Sequence, residues 1–184
     1  HVALLIDFGN SRQGLKDAGV EVPTPSALAA SLLKYASGVG RVTIARAYAD
    51  WSRLGNDARD VQTARVVPVL VPATVTGEDR SHIRLTVDAL EALFAGDEPD
   101  AFVLGTGDAT LLPLVQALRA DGSEVVLVAP AASAAEDVRA EVDRFTSLEE
   151  VIAGAVGTPS PVREVREEDA EAAAPAYEAP PPPP

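Results

Sequence analysis

At 184 residues the chain has room for one ordinary domain with a buried core, and its composition, 47% apolar and 23% charged, excludes a wholly disordered, collagen-like or disulfide-framework protein. With no cysteine, thiolate metal sites and cysteine nucleophiles are also excluded, and no apolar run is long enough for a bilayer. The net charge of −13 argues against a broad polyanion-binding face, while it suits solubility and cation binding. The first strand starts at residue 2 and leaves no space for a secretory leader, so a cytoplasmic protein is expected.

The run HVALLID is uninterrupted apolar sequence ending in an acid, the pattern of a strand covered on both faces. Thr24 then offers a helix cap, Pro25 suits the first helical position and Gly38 a stop. RVTIARAYAD reads as a second strand, residues 57–64 as a short helix and VVPVLVP as a third strand. SHIRLTVDALEALFAG reads as a helix with Ile83, Val87, Leu90 and Leu93 on its core-facing stripe. DAFVLGTG is a fourth strand, ATLLPLVQALRADG a helix with Pro113 in its first turn, and EVVLVAP a fifth strand. Short helices follow near 133–142 and 147–153. This alternation predicts a three-layer α/β/α Rossmann-like domain over residues 1–156 with about five parallel strands. Residues 157–184 are rich in Pro, Ala and Glu, hold six acids against two arginines and end in five prolines, which reads as a disordered linker or tail.

In such a sheet, ligands bind outside the carboxyl ends of the strands, where the strand order reverses. Three polar groups fall at strand ends: Asp7 with Asn10; Asp50, Trp51 and Ser52; and Thr106, Gly107 and Asp108. If the first and fourth strands are neighbours, Asp7 and Asp108 face each other, and a divalent cation relieves their repulsion. Either acid alone is equally a helix cap. The G-T-G-D-A-T turn lacks the third glycine of a dinucleotide fingerprint, and its Asp would repel a pyrophosphate. There is no P-loop and no nucleophile elbow, and two histidines give little material for a zinc site.

ALLIDFGN at 3–10, ARAYADW at 45–51, HIRLTVDAL at 82–90, VLGTGDATLLPLV at 103–115 and the run from Ser133 to Glu149 together resemble the NYN domain, a family related to PIN-type nucleases. The resemblance implies a PIN/NYN-like fold and an acidic cluster that holds Mg²⁺ or Mn²⁺ for hydrolysis of RNA phosphodiesters. It also implies a LOTUS-type RNA-binding domain beyond residue 184, placed after a linker. Asp7 and Asn10 match the family positions. Where the family has Gly-Lys-Asn-x-x-Asp, this chain has Gly77, Glu78, Asp79, Arg80, Ser81 and His82, so the expected acid is replaced by His82. Where the family has Ser-Gly-Asp-x-Asp, the chain has Thr106, Gly107, Asp108, Ala109 and Thr110, so the second acid is replaced by Thr110. Asp88 matches another acid common in this helix, although its spacing favours an ion pair with Arg84.

The expected site is therefore Asp7, Asn10, Asp108 and His82, with Asp7 and Asp108 as ligands for a weakly held Mg²⁺ or Mn²⁺, and with Arg46, Trp51, Arg53 and Arg80 contacting RNA. A two-metal clamp needs more negative charge than remains, so the primary expectation is a weak or inactive nuclease serving as an RNA- or protein-binding module. The alternative is an active Mg/Mn-dependent endoribonuclease in which His82 acts as an atypical ligand or base. The expected partners are RNA or a protein, a homodimer being one form, with no membrane.

Overall fold

The computed structural model describes residues 1–94 and 99–154. Six parallel strands form one sheet in the order β3-β2-β1-β4-β5-β6: β1 Val2–Asp7, β2 Val42–Ala49, β3 Val67–Leu70, β4 Ala101–Gly105, β5 Glu124–Ala129 and β6 Arg144–Ser147. The helices are α1 Phe8–Asp17, α2 Pro25–Val39, α3 Asp57–Thr63, α4 Ser81–Leu93, α5 Leu112–Ala120, α6 Glu136–Glu141 and α7 Leu148–Ala153. The three-layer architecture is as the alternating pattern predicts. The strand count is one higher, because β6, with the polar text RFTS, pairs with β5 at the sheet edge. The expected domain boundary at 156 and the tail fall outside the described residues.

Each central strand feeds two cores. In β1, Val2, Leu4 and Ile6 pack with Leu28, Leu32, Val61 and Leu148 of α2, α3 and α7, while Ala3 and Leu5 pack with Leu85, Ala89, Leu114 and Leu118 of α4 and α5. Every residue of β1 is buried, which is why its sequence is continuously apolar instead of alternating. At α2, the Thr24 hydroxyl accepts the Ala27 N–H and Pro25 occupies the first turn, but the helix runs past Gly38 to Val39.

The chain passes from β1 directly into α1, where the Asp7 carboxylate caps the first turn by accepting the Asn10 N–H at 3.1 Å. A side chain at Gly14 in this helix would lie 2.6 Å from Ser133 Oγ and 2.8 Å from Pro130 Cγ, so α1 sits close against the segment after β5. In α4 the sequence stripe is mostly turned the other way. Leu93 is buried, but Ile83 and Val87 are exposed, and Leu85, Asp88, Ala89 and Ala92 face the sheet instead. Among the described residues, no helix is long and apolar enough to cross a membrane.

Candidate active site

The order of strands reverses between β1 and β4, which pair in parallel with Ile6 opposite Gly105. The loops leaving these strands therefore share one edge. Asp7 ends β1, and Asp108 opens the turn before α5, where its Oδ1 accepts the Thr110 N–H at 2.9 Å. Asp108 thus supplies the cap of this turn, and Thr110 is exposed.

Asn10 ties the two loops together. Its Oδ1 accepts the Gly107 N–H at 2.8 Å and lies 3.5 Å from the Thr106 hydroxyl, which itself accepts the Asp108 N–H at 3.2 Å. The backbone N–H of Gly107 can only donate, which fixes the amide orientation. Asn10 is accordingly a positioning residue whose oxygen is already occupied. Gly107 is required here, since a side chain would stand 2.8 Å from the Ser133 carbonyl oxygen of the neighbouring loop.

A third acid joins them. The loop after β3 turns at Thr74–Gly77, with Gly77 at φ 88°, and delivers Asp79 over Gly9. Asp79 Oδ2 and Asp7 Oδ1 lie 3.1 and 3.9 Å from the point where a Gly9 side chain would begin. The other Asp79 oxygen accepts from the N–H and hydroxyl of Ser81, at 2.8 and 2.6 Å, and so organises the start of α4. The expectation that the acid of this stretch is replaced by His82 therefore needs correction: Asp79, three residues earlier, stands beside Asp7. Its position depends on the loop's path, which residue spacing does not show. Its place just ahead of the α4 start was the only signal.

Burial pushes the Asp7 carboxyl up to about 7, and the charges of Asp79 and Asp108 push in the same direction against the Asn10 N–H. His82, in the first turn of α4, places Nδ1 3.9 Å from Asp108 Oδ2, which is facing contact but not a hydrogen bond. Among the described residues, no three His, Asp or Glu side chains stand close enough to hold an ion as they are. The acids share a field across an open edge and do not form a closed cage.

The structure disperses the expected RNA-contacting residues. Arg53, at the end of the short 3-10 turn Trp51–Arg53, and Arg80, just ahead of α4, are exposed. Trp51 is buried, with its ring 4.9 Å from that of Phe8 and its N–H donated to the Val69 carbonyl, so it belongs to the core rim. Arg46 is committed to Asp88 at 2.7 Å. Asp88, buried on α4, also accepts the Tyr48 hydroxyl at 2.9 Å and pairs with Arg84 at 2.6 Å, the i, i+4 contact that its spacing favours. Burial, followed by the Asp88 charge, pushes the Tyr48 phenol up. Asp50 braces the β2 end to the loop after β3 by accepting the Ala73 N–H and the Ser52 hydroxyl. Those hydrogen bonds, the Ser52 one foremost, hold its carboxyl below the usual range.

The family model of the NYN domain matches residues 1–149. A crystal structure of a protein of unknown function from Vibrio parahaemolyticus superposes with a TM-score of 0.64 at 17% identity, covering 82% of this chain and 93% of that one. No curated protein matches the chain significantly.

Proposed function

Because this chain belongs to the NYN-domain family, a PIN-like group of nuclease type, we propose that it is a slow, single-ion hydrolase of RNA phosphodiesters. The observation that carries this reading is the approach of Asp79 over Gly9, which adds a third carboxylate to Asp7 and Asp108. Carboxylate oxygens are the donors that Mg²⁺ and Mn²⁺ prefer, and Mg²⁺ commonly takes one or two of them and fills the rest with water and substrate phosphate. An open edge whose buried carboxyl is pushed up to about 7, by burial first and then by the charges of Asp79 and Asp108, gains from a cation beside it.

Asp7 and Asp108 are the proposed ligands, and Asp79 adds charge beside them. A bound ion would polarise a phosphoryl oxygen and make its water more acidic. Asn10 sets the separation of the two ligand loops, leaving its amide N–H groups to meet a phosphate oxygen. His82, at the rim beside Asp108, is positioned to move a proton between substrate and solvent. Arg53 and Arg80 offer exposed cations for the RNA backbone on either side. Thr110 supplies no charge where the family has an acid, and the loss of one such preorganised group costs about 10² to 10³ in rate. Low turnover follows from that single position.

The experiment is cleavage of single-stranded and hairpin RNA with Mn²⁺ or Mg²⁺ by the wild type, Asp7→Asn and Asp79→Asn. Slow metal-dependent cleavage lost in both variants supports the proposal. A wild type that binds RNA without cutting it, even with Mn²⁺, refutes it and leaves the binding-module reading, which the open spacing of the acids favours.

A further inference from the structure

We propose that the outward face of α4 is a contact surface for a second copy of this chain, the two helices packing antiparallel across a two-fold axis beside Val87. At 100° per residue, Leu85, Asp88, Ala89 and Ala92 point to the sheet, and Ile83, Val87, Leu90 and Phe94 fall on the opposite side at i, i+4, i+7 and i+11. Ile83 is 52% exposed, Val87 43% and Phe94 78%, while Leu90 is half-buried, one side of it packed against the core beneath α4 and the rest bordering the row. Branched and aromatic side chains give no helix propensity that would account for them on a solvated face. A contiguous apolar row of this kind marks an interaction surface.

The charges at its border select the occupant. Arg84 and Glu91 lie on one flank of the row, both exposed, about two turns apart. An antiparallel two-fold pairing centred at Val87 sets Val87 against Val87 and brings Ile83 to within one residue of Leu90 of the second copy. It also brings Arg84 beside Glu91 of the second copy, and symmetry makes that ion pair twice. The same reversal carries Arg80, which precedes the helix, to the ring of Phe94. Arg84 gives Nε to Asp88, yet half its side chain remains exposed for this second role. A row that is apolar along its middle and complementary to itself at its edge fits another copy of the same row. One helix pair covers less than the roughly 800 Å² per partner of a standard interface, so the dimer is weak and concentration-dependent.

The test uses the full chain in sedimentation velocity from about 5 to about 500 µM, the range in which a micromolar dimer forms and dissociates. The mass is expected to rise from 19.1 kDa toward twice that value. Val87→Glu, at an exposed position, weakens the association at least tenfold while the circular dichroism is unchanged, and Glu91→Arg weakens it severalfold. The chain has no cysteine, so single cysteines report the register. Val87→Cys cross-links to itself under mild oxidation. Ile83→Cys cross-links rapidly with Leu90→Cys in a mixture, but slowly alone. A chain that stays monomeric throughout overturns the proposal. If its Val87→Cys thiol is also shielded from alkylation, the chain's own C-terminal segment becomes the occupant. A dimer indifferent to Val87→Glu, or to Glu91→Arg, equally overturns the contact or its register.

Discussion

Replacing Asp7 by Asn is expected to stabilise the metal-free protein, and by an amount that depends on pH in a defined way. Asp7 is buried, its carboxyl is pushed up to about 7, and in the unfolded chain it titrates near the ordinary carboxylate value of about 3.9. Below about pH 3 the group is protonated in both states and costs nothing. As pH rises from about 4 to 7, the unfolded chain loses its proton first, so the folded state falls in relative stability; above 7 both are ionised and the full cost is present. A displacement of this size corresponds to roughly 4 kcal/mol. Asn keeps the acceptor for the Asn10 N–H and carries no charge, so Asp7→Asn should exceed the wild type by that order at pH 8 and by only a few tenths of a kcal/mol at pH 4. For a domain of this length the difference is about 10 °C in Tm. Urea and thermal unfolding of both proteins at half-unit steps from pH 4 to 8 in EDTA measure it, and subtraction cancels the other titrating groups. Millimolar Mn²⁺ should narrow the gap at pH 8 by stabilising the wild type alone. A difference between the two proteins that is flat with pH refutes the argument that Asp7 is ionised at a cost in the folded state.

Other perturbations separate the site from its supports. Thr110→Asp restores the missing charge and should raise Mn²⁺-dependent RNA cleavage about 10²-fold, read in single-turnover assays. Asp88→Ala leaves Arg46 without its partner and the Tyr48 hydroxyl buried without an acceptor, so it should cost about 3 kcal/mol in urea unfolding with no loss of metal affinity. Gly107→Ala drives a methyl group into the Ser133 carbonyl and should cost about 1 to 3 kcal/mol while also lowering metal affinity, because Gly107 N–H is the anchor for Asn10.

The parts of the fold that were legible in the sequence are those dictated by local chemistry. β1 declares itself because both its faces are covered, α2 because Thr24 and Pro25 start it, and the placement of Asp7 and Asp108 on one edge because strand ends in a parallel sheet share that edge. What stayed hidden depends on distant partners. α1 contains Gly9 and Gly14, poor helix formers, and its place is set by the Asp7 cap and the close approach to Pro130 and Ser133. β6 is four residues of mixed polarity whose strand character comes from pairing with β5. Asp79 sits in loop text that resembles a spacer, and the turn at Gly77 determines that its carboxylate stands over Gly9 on the same side as Asp7. Trp51 looks like a stacking platform by position, yet the Val69 carbonyl and the Phe8 ring draw it inward.

The α4 stripe shows a different limit. Periodicity correctly reports that Ile83, Val87 and Leu90 share a face, but it cannot say which face meets the sheet, and the usual assumption is that the more apolar one does. Here a buried carboxylate decides the orientation. Asp88 finds Arg46 and Tyr48 on β2, and Leu85, Ala89 and Ala92 beside it are small or smooth enough for close packing over β1 and β2. Turning the helix to bury Ile83 and Val87 would leave Tyr48 and Arg46 without their acceptor beneath it, at a cost of several kcal/mol that two more buried aliphatic side chains, at about 1.5 to 3 kcal/mol each, only match. A sheet-facing ion pair and a solvent-facing apolar row are thus two sides of one choice. Substituting Arg46 and Asp88 together by apolar residues should weaken the preference for the present orientation, whereas substituting Val87 should not.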